Sequence, residues 1–344
     1  MRKEVLAVGC ALMVFCGCGK NNAAQHYESG WAAMEKKDYT TAVNEFQQVI
    51  DQNSRLAESY RAEGIAYYSE KAYPEAIAAF SRSLNNMDDP DKEFKKDVQF
   101  YLAQARMDYG EVDKAIEVYS EILKAGEDEQ AFFLRGKAYI SMEDYKNAEK
   151  DFQRALEGCE DYNLYINIYQ IYVDHNKAVD GDAYLKMALE LEPQDGEDCY
   201  HRGRIYEYEK NYEAARDELK TAMEQGYEDA MLLLGRVYLE MEDPASARSM
   251  YQEYQQKSEQ GAKAYNGLAM CDIYDGAYDS ALENIAQGLK ENSKEDEQGL
   301  LYNEIVAYEY KRDFATAKEK MKIYLEQYPE DEAALRENEF LSTR

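Results

Sequence analysis

Histidine and cysteine are the side chains most often used as metal ligands, catalytic bases or nucleophiles. The three histidines of this chain are far apart and lack metal-site spacing: His26, His175 and His201. The cysteines of the main body are equally scattered, with no Cys-x-x-Cys pair: Cys159, Cys199 and Cys271. Among the histidines, His201 follows Tyr200 on a predicted helix, and we expect it at the surface. No catalytic or phosphate-loop motif is present, so we expect no metal, no cofactor and no enzymatic activity.

The charge of the chain narrows the class of ligand that it can bind. Asp and Glu total 69 against 40 Lys and Arg, which gives a formal net charge of −29. A nucleic-acid-binding protein needs a basic patch or stripe on its surface. An acidic chain instead repels other anions. The composition therefore disfavours a nucleic-acid partner.

The N-terminus has the features of a targeting segment. Arg2 and Lys3 precede an apolar run over residues 5–15, which is the length of the apolar part of a secretory signal. Beyond it, no internal run reaches the ~18 apolar residues of a membrane-spanning helix. We therefore predict that residues 1–17 are a signal peptide.

The residues that end this segment suggest a lipid modification. The sequence Phe15-Cys16-Gly17-Cys18 resembles a bacterial lipobox, in which an aliphatic and two small residues precede an invariant lipidated cysteine. We predict lipidation at Cys18, because cleavage would then follow the small Gly17; lipidation at Cys16 would require cleavage after the bulky Phe15. Residues 18–26 would form the lipidated cysteine and a short tether. The alternatives are an uncleaved signal that anchors the chain, or an ordinary signal cut nearby.

A small residue followed four positions later by a large side chain recurs along the rest of the chain. These small anchor residues number nine: Ala42, Ala76, Ala115, Ala148, Gly181, Ala215, Ala247, Ala281 and Ala317. Their separations are 34, 39, 33, 33, 34, 32, 34 and 36 residues. Each period holds two amphipathic helices, and such a pair cannot bury its own apolar face. We therefore expect the copies to stack on one another.

Residues 129–162 show the unit most clearly. Gly136 lies in the middle of the first helix, where glycine costs about 1 kcal/mol relative to alanine. That cost is tolerable if the second helix must approach closely at this point. We predict that Ala148 and Ala155 lie on one face of the second helix, and that Phe152, four residues after Ala148, fills the space beside them.

The nine units resemble the tetratricopeptide repeat, whose period is about 34 residues. The resemblance covers roughly residues 24–331. It implies an all-α fold: a right-handed α-solenoid of about nine helix-turn-helix repeats over residues 27–330, with a capping helix over 331–344. Three positions depart from the pattern. Tyr169 and Ile305 replace a small residue and Asp272 replaces a tyrosine, so we expect less regular packing in repeats 5, 8 and 9.

The resemblance also selects candidate binding residues. In this family the inner face is lined by residues 15, 11, 8 and 7 positions before the anchor. In the middle repeats these offsets give a candidate groove of Phe133, Lys137, Ile140, Gln170, Tyr200, Arg204, Tyr208, Leu232 and Arg236. Three cations share one offset: Lys137, Arg204 and Arg236. One hypothesis is that Arg204 and Arg236 bind a carboxylate of an extended ligand by paired hydrogen bonds. The alternative is that these cations pair with acidic neighbours such as Glu207, Asp174 and Glu240.

These features together predict a scaffold without catalytic activity. The expected partner is a protein or peptide held in the concave groove. Lipid on Cys18 would anchor the protein to the extracytoplasmic face of a bacterial cell membrane. An alternative is recognition of a cell-wall polymer, or service as an adaptor for an envelope enzyme. Self-association through the terminal helix is a third possibility.

Overall fold

The computed structural model describes residues 22–87, 91–258, 261–291 and 293–344. Within these ranges the chain forms nineteen α-helices and no β-strand, which confirms the predicted all-α class. None of the helices in this part of the chain is both long enough and apolar enough to cross a membrane. The predicted signal peptide and Cys18 lie outside the described residues.

The helices form nine consecutive pairs followed by one further helix. In chain order they are α1 (Asn22–Glu35), α2 (Tyr39–Asp51), α3 (Leu56–Ser69), α4 (Tyr73–Asn85), α5 (Lys92–Tyr109), α6 (Val112–Ala125), α7 (Glu129–Ser141), α8 (Tyr145–Ala155), α9 (Tyr162–Asp174), α10 (Ala178–Leu189), α11 (Gly196–Tyr208), α12 (Tyr212–Glu224), α13 (Ala230–Glu240), α14 (Pro244–Lys257), α15 (Gly261–Tyr274), α16 (Tyr278–Lys290), α17 (Glu297–Tyr310), α18 (Phe314–Gln327) and α19 (Glu332–Ser342). The odd-numbered helix is the first of each pair, and α19 stands where a tenth first helix would follow.

The start of α1 differs from the predicted tether. Residues 22–26, which we assigned to the tether, belong to the helix. Ala23 is buried, and the His26 Nδ1 atom lies 2.7 Å from a carboxylate oxygen of Glu45 on α2. These contacts extend the first repeat by one helical turn towards the N-terminus.

The turns between paired helices share one backbone feature. Each contains a residue with positive φ, and the nine are Lys37, Lys71, Gly110, Glu143, Asn176, Lys210, Glu242, Gly276 and Arg312. A left-handed residue is a common end of a helix because it lets backbone N–H groups reach the last free carbonyls. Only two of the nine are glycine. In four turns an aspartate then caps the second helix by accepting a backbone N–H, as Asp144 does from Asn147, and in a fifth Asn211 takes this role.

The chain divides into two compact units, residues 1–159 and 160–344. In the first unit, the predicted close approach of paired helices is confirmed at three glycines. A Cβ atom added at Gly136 would lie 2.6 Å from the ring of Phe152, and the same relation holds for Gly30 with Phe46 and for Gly64 with Phe80. Phe152 has no exposed surface. Glycine is therefore needed at these positions, because the phenylalanine ring of the second helix occupies the space that the Cβ atom of any other residue would fill.

In the second unit, the residues that depart from the repeat pattern are accommodated by different contacts. In repeat 5, Tyr169 of α9 replaces the small residue of the first helix, and its ring lies 3.1 Å from the Cβ position of the anchor Gly181 on α10. In repeat 9, Ile305 is fully buried. In repeat 8, Asp272 is buried among polar partners instead of a tyrosine packing there.

Candidate functional site

In the first unit, the three candidate groove residues on α7 have different surroundings. Ile140 has no exposed surface, so it is a packing residue and the groove assignment was wrong for this position. Phe133 is half-buried, with its ring centroid 6.2 Å from that of Phe152. Lys137 is exposed, and it has no ion pair within the described residues. Only Lys137 therefore presents a charged group to an external ligand.

In the second unit, three of the candidate residues meet in one cleft. Tyr200 from α11 and Leu232 and Arg236 from α13 line a cavity of about 190 Å³. Its remaining lining residues are Asp229, Leu233 and Lys263. We call this site the Tyr200 cleft. Sequence analysis missed Lys263 because it lies 18 residues before the anchor Ala281, at the start of α15 and beyond the four offsets used.

The walls of the Tyr200 cleft are fixed by packing on both sides. The Tyr200 ring centroid lies 4.9 Å from that of Tyr227, at an interplanar angle of 34°. Leu232 packs against a buried cluster that contains Tyr254 and Ala264. Burial raises the pKa of the Tyr200 phenol, so at neutral pH the group is protonated and can donate a hydrogen bond. The cleft thus combines a fixed apolar wall with one neutral donor.

Arg236 is already paired with an acidic neighbour. Its Nε and one terminal nitrogen donate to the two carboxylate oxygens of Glu207 at 2.6 and 2.7 Å. The Glu207 side chain is 14% exposed, while that of Arg236 is 53% exposed. This two-pronged pairing occupies the Nε edge of the guanidinium group and neutralises its charge. For Arg236, the alternative of internal pairing is therefore correct.

Arg204 has a different environment from Arg236. One of its terminal nitrogens lies 3.2 Å from the His201 Nδ1 atom, and its guanidinium carbon lies 5.9 Å from the Tyr200 ring centroid. Over the described ranges it takes part in no ion pair. Because a guanidinium group only donates hydrogen bonds, the His201 Nδ1 atom must accept this one. His201 is only 5% exposed, and its Nε2 atom lies 3.0 Å from the Asn163 side chain. The expected surface position of His201 was thus wrong.

The two remaining candidates of this unit lie elsewhere. The Gln170 side chain donates to an Asp174 carboxylate oxygen one helical turn later, at 2.9 Å. Tyr208 ends α11 with 37% of its surface exposed, and its ring centroid is 5.3 Å from that of Tyr169. It lines a second, polar cleft of about 530 Å³ with Asp182, Leu185, Lys186, Glu209, Lys210 and Asn211. Of the six candidates in this unit, three therefore line the Tyr200 cleft, Tyr208 lines the second cleft, and Gln170 and Arg204 line neither.

Two cysteines of the described ranges, Cys199 and Cys271, are buried. Burial raises the pKa of the Cys199 thiol, and that of the Cys271 thiol to about 11. Both thiols are therefore protonated, and weakly nucleophilic, at neutral pH. Nowhere in the described part do three His, Cys, Asp or Glu side chains come together in a group that could hold a metal ion.

Comparison with known proteins gives matches to one repeat family. Sequence models described as tetratricopeptide repeat match residues 27–91, 129–161, 200–262 and 232–297. No curated protein sequence matches the chain.

Several solved structures are similar to parts of the chain. The structure of YrrB, described as a TPR protein with an unusual peptide-binding site, is 26% identical, with 55% of this chain and 97% of that chain covered and a TM-score of 0.35. A tetratricopeptide repeat protein from Parabacteroides merdae is 16% identical, with coverages of 82% and 98% and a TM-score of 0.44. Pseudomonas aeruginosa pilF is 17% identical, with coverages of 63% and 97% and a TM-score of 0.41.

Proposed function

The chain belongs to the tetratricopeptide-repeat family, and from that premise we propose that it is a non-catalytic scaffold that binds a protein or peptide segment at the Tyr200 cleft. The observation that carries this proposal is the meeting of Tyr200, Leu232 and Arg236 in one cavity. These residues come from two neighbouring repeats and were selected by the family's ligand-facing offsets. A volume of about 190 Å³ suits one large side chain of an extended segment.

The charges around the Tyr200 cleft specify how such a segment would be held. Arg236 is neutralised by Glu207, so the cations left for a ligand are Arg204 and Lys263, neither of which has an ion pair within the described residues. Asp229, which also lines the cleft, would accept a backbone or side-chain N–H. We therefore propose that the bound segment places an apolar side chain against Leu232 and the Tyr200 ring. A carboxylate of the same segment would lie near Arg204 or Lys263.

The test of this proposal is the affinity for peptides selected from a displayed random library, measured by calorimetry. The double variant Arg204→Ala with Lys263→Ala should lower the affinity at least tenfold, because two charged donors are lost. Lys294→Ala with Lys322→Ala is the matched control, since both side chains are exposed and the same two charges are removed. Equal affinities for the two double variants would contradict the proposal. Retention on isolated cell-wall glycan without peptide binding would favour the polymer-recognition alternative.

We also propose that Cys18 carries lipid and holds the protein at the extracytoplasmic face of a bacterial membrane. The support for this proposal is the sequence of residues 1–18 alone. In a bacterial host, Cys18→Ser should abolish labelling by a fatty-acid analogue and leave the precursor unprocessed or release it from the membrane fraction. Cys16→Ser is the control and should be labelled like the parent. Labelling lost with Cys16→Ser but kept with Cys18→Ser would assign the lipid to the other cysteine.

A further inference from the structure

The outward side of α10 is apolar. Val179, Ala183 and Met187 are spaced four residues apart, so they lie along one side of the helix. Val179 is 84% exposed and Met187 is 39% exposed, and Ala183 is exposed between them. The buried residues of the helix lie on its other side, and they are Gly181, Tyr184, Leu185 and Ala188. We call the three exposed residues the α10 stripe.

The α10 stripe is peculiar to repeat 5. Its residues stand two positions before, two after and six after the anchor Gly181. In each of the other eight repeats, at least one of these three positions is charged or polar. In repeat 4 all three are basic: Lys146, Lys150 and Arg154. The repeat pattern therefore does not require the α10 stripe, and an exposed apolar patch of this kind indicates an interaction surface.

The charges beside the α10 stripe indicate which partner fits it. Asp182 and Lys186 stand one helical turn apart along one edge of the stripe. Neither side chain takes part in an ion pair within the described residues. If two copies of α10 pack antiparallel, this edge meets its own reverse, and Asp182 of each copy lies opposite Lys186 of the other. The surface is thus complementary to itself, as the contact surface of a twofold-symmetric dimer must be.

We propose that two copies of this chain associate through their α10 stripes, as an antiparallel helix pair about a twofold axis at Ala183. Val179 of each copy then packs beside Met187 of the other. The small side chain of Ala183 lets the two helices approach closely at the axis, because the distance between packed helices depends on the side chains at the contact. Ion pairs between Asp182 and Lys186 flank the apolar contact on both sides of the axis.

The size of the contact sets the expected strength of the dimer. Because α10 has only 12 residues, the helix pair buries less than the roughly 1,200 to 2,000 Å² of a stable interface. We therefore expect a reversible dimer with a dissociation constant between about 1 μM and about 1 mM. Each chain carries a net charge of −29, so two copies repel each other at long range. Salt at about 0.15 M limits this repulsion, since the screening length is then about 8 Å.

Sedimentation equilibrium of the full chain in a mild detergent measures the dimerisation at this salt concentration. Ala183→Arg should weaken it at least about 100-fold, because two like charges would be buried at the axis. Ala78→Arg is the matched control, since Ala78 is exposed on α4 at the same offset from its own anchor, and this variant should dimerise like the parent. Circular dichroism of each variant checks that the helices are kept.

The flanking charges provide a second test, which also checks the direction of the helix pair. Lys186→Asp should weaken dimerisation about tenfold or more, because two attractive pairs become repulsive. Adding Asp182→Lys reverses the charges of the whole edge and should restore the affinity of the parent. A dimer that this double change does not restore would overturn the antiparallel pairing.

Two results of the first test would overturn the proposal. One is equal dimerisation of Ala183→Arg and Ala78→Arg, which would place the contact on another surface. The other is a parent chain that stays monomeric up to about 1 mM, which would leave the α10 stripe to a partner other than a second copy.

Discussion

Asp272→Ala should lower the free energy of unfolding by about 3 to 5 kcal/mol, the usual result of removing one partner of a buried ion pair. The Asp272 side chain is 5% exposed and accepts a hydrogen bond from Arg248 at 2.7 Å. Its second oxygen accepts from Ser280 at 2.7 Å and from Asn284 at 2.8 Å. The variant therefore leaves three donors from α14 and α16 without their shared acceptor. Urea denaturation followed by circular dichroism measures the change.

Asp275→Ala is the matched control for this prediction. Asp275 also binds Arg248, at 2.9 Å, but its side chain is 45% exposed. Exposed ion pairs contribute about 0 to 1 kcal/mol, so this variant should unfold at nearly the urea concentration of the parent. If both variants lose the same small amount, Asp272 is not the centre of a buried network.

The second large effect concerns Gly136 and Phe152 and is measured as a double-mutant cycle. Phe152→Ala alone should cost about 3 to 5 kcal/mol, because it empties the volume of a fully buried ring. Gly136→Ala alone should cost about 1 to 3 kcal/mol, because the new methyl group would lie 2.6 Å from that ring.

The effect of Gly136→Ala on the free energy of unfolding should change sign when Phe152 has already been replaced by alanine. In the Phe152→Ala background the space beside residue 136 is free, so Gly136→Ala should stabilise the protein by up to about 1 kcal/mol, through its better helix propensity. Thermal and urea unfolding of the four proteins give the coupling between the two sites. Purely additive effects would show that the ring is not the reason for the glycine.

The repeat architecture could be predicted from sequence because it depends on volume. A glycine and a phenylalanine recur at a fixed separation in several repeats, as Gly136 and Phe152 do. Because the ring fills the space beside the glycine Cα atom, the contact can be read from the residue types. Repeat 5 shows where such reasoning fails. Tyr169 stands where most first helices carry a small residue, and the sequence does not show that its ring packs against the anchor Gly181 of the second helix.

The candidate binding site was predicted less completely, because the sequence does not show which charged side chains pair with one another. The shared offset of Arg204 and Arg236 correctly identified two cations of one region. It did not show that Glu207 binds Arg236 with both oxygens, or that Arg204 faces His201. Such pairings depend on side-chain directions between neighbouring helices. Lys263 and Asp229 were missed for the same reason, since they reach the Tyr200 cleft from helix starts outside the family's offsets.

The turns were also beyond prediction. Seven of the nine left-handed turn residues are not glycine, and among them Lys, Glu and Arg carry no turn signal of their own. Their backbone conformation is imposed by the packing of the two helices that they join. Local propensity therefore gives no indication of it.

The ring of Tyr251 on α14 touches two glycines in different repeats. A Cβ atom added at Gly235 of the same repeat would lie 2.6 Å from the ring, and one at Gly267 of the next repeat would also overlap it. In a repeat array, stability is the sum of the intrinsic free energy of each repeat and the coupling free energy between neighbours. One aromatic ring here contributes to both quantities. Repeats 7 and 8 should consequently melt as a single cooperative block, because opening either one removes part of the packing around Tyr251.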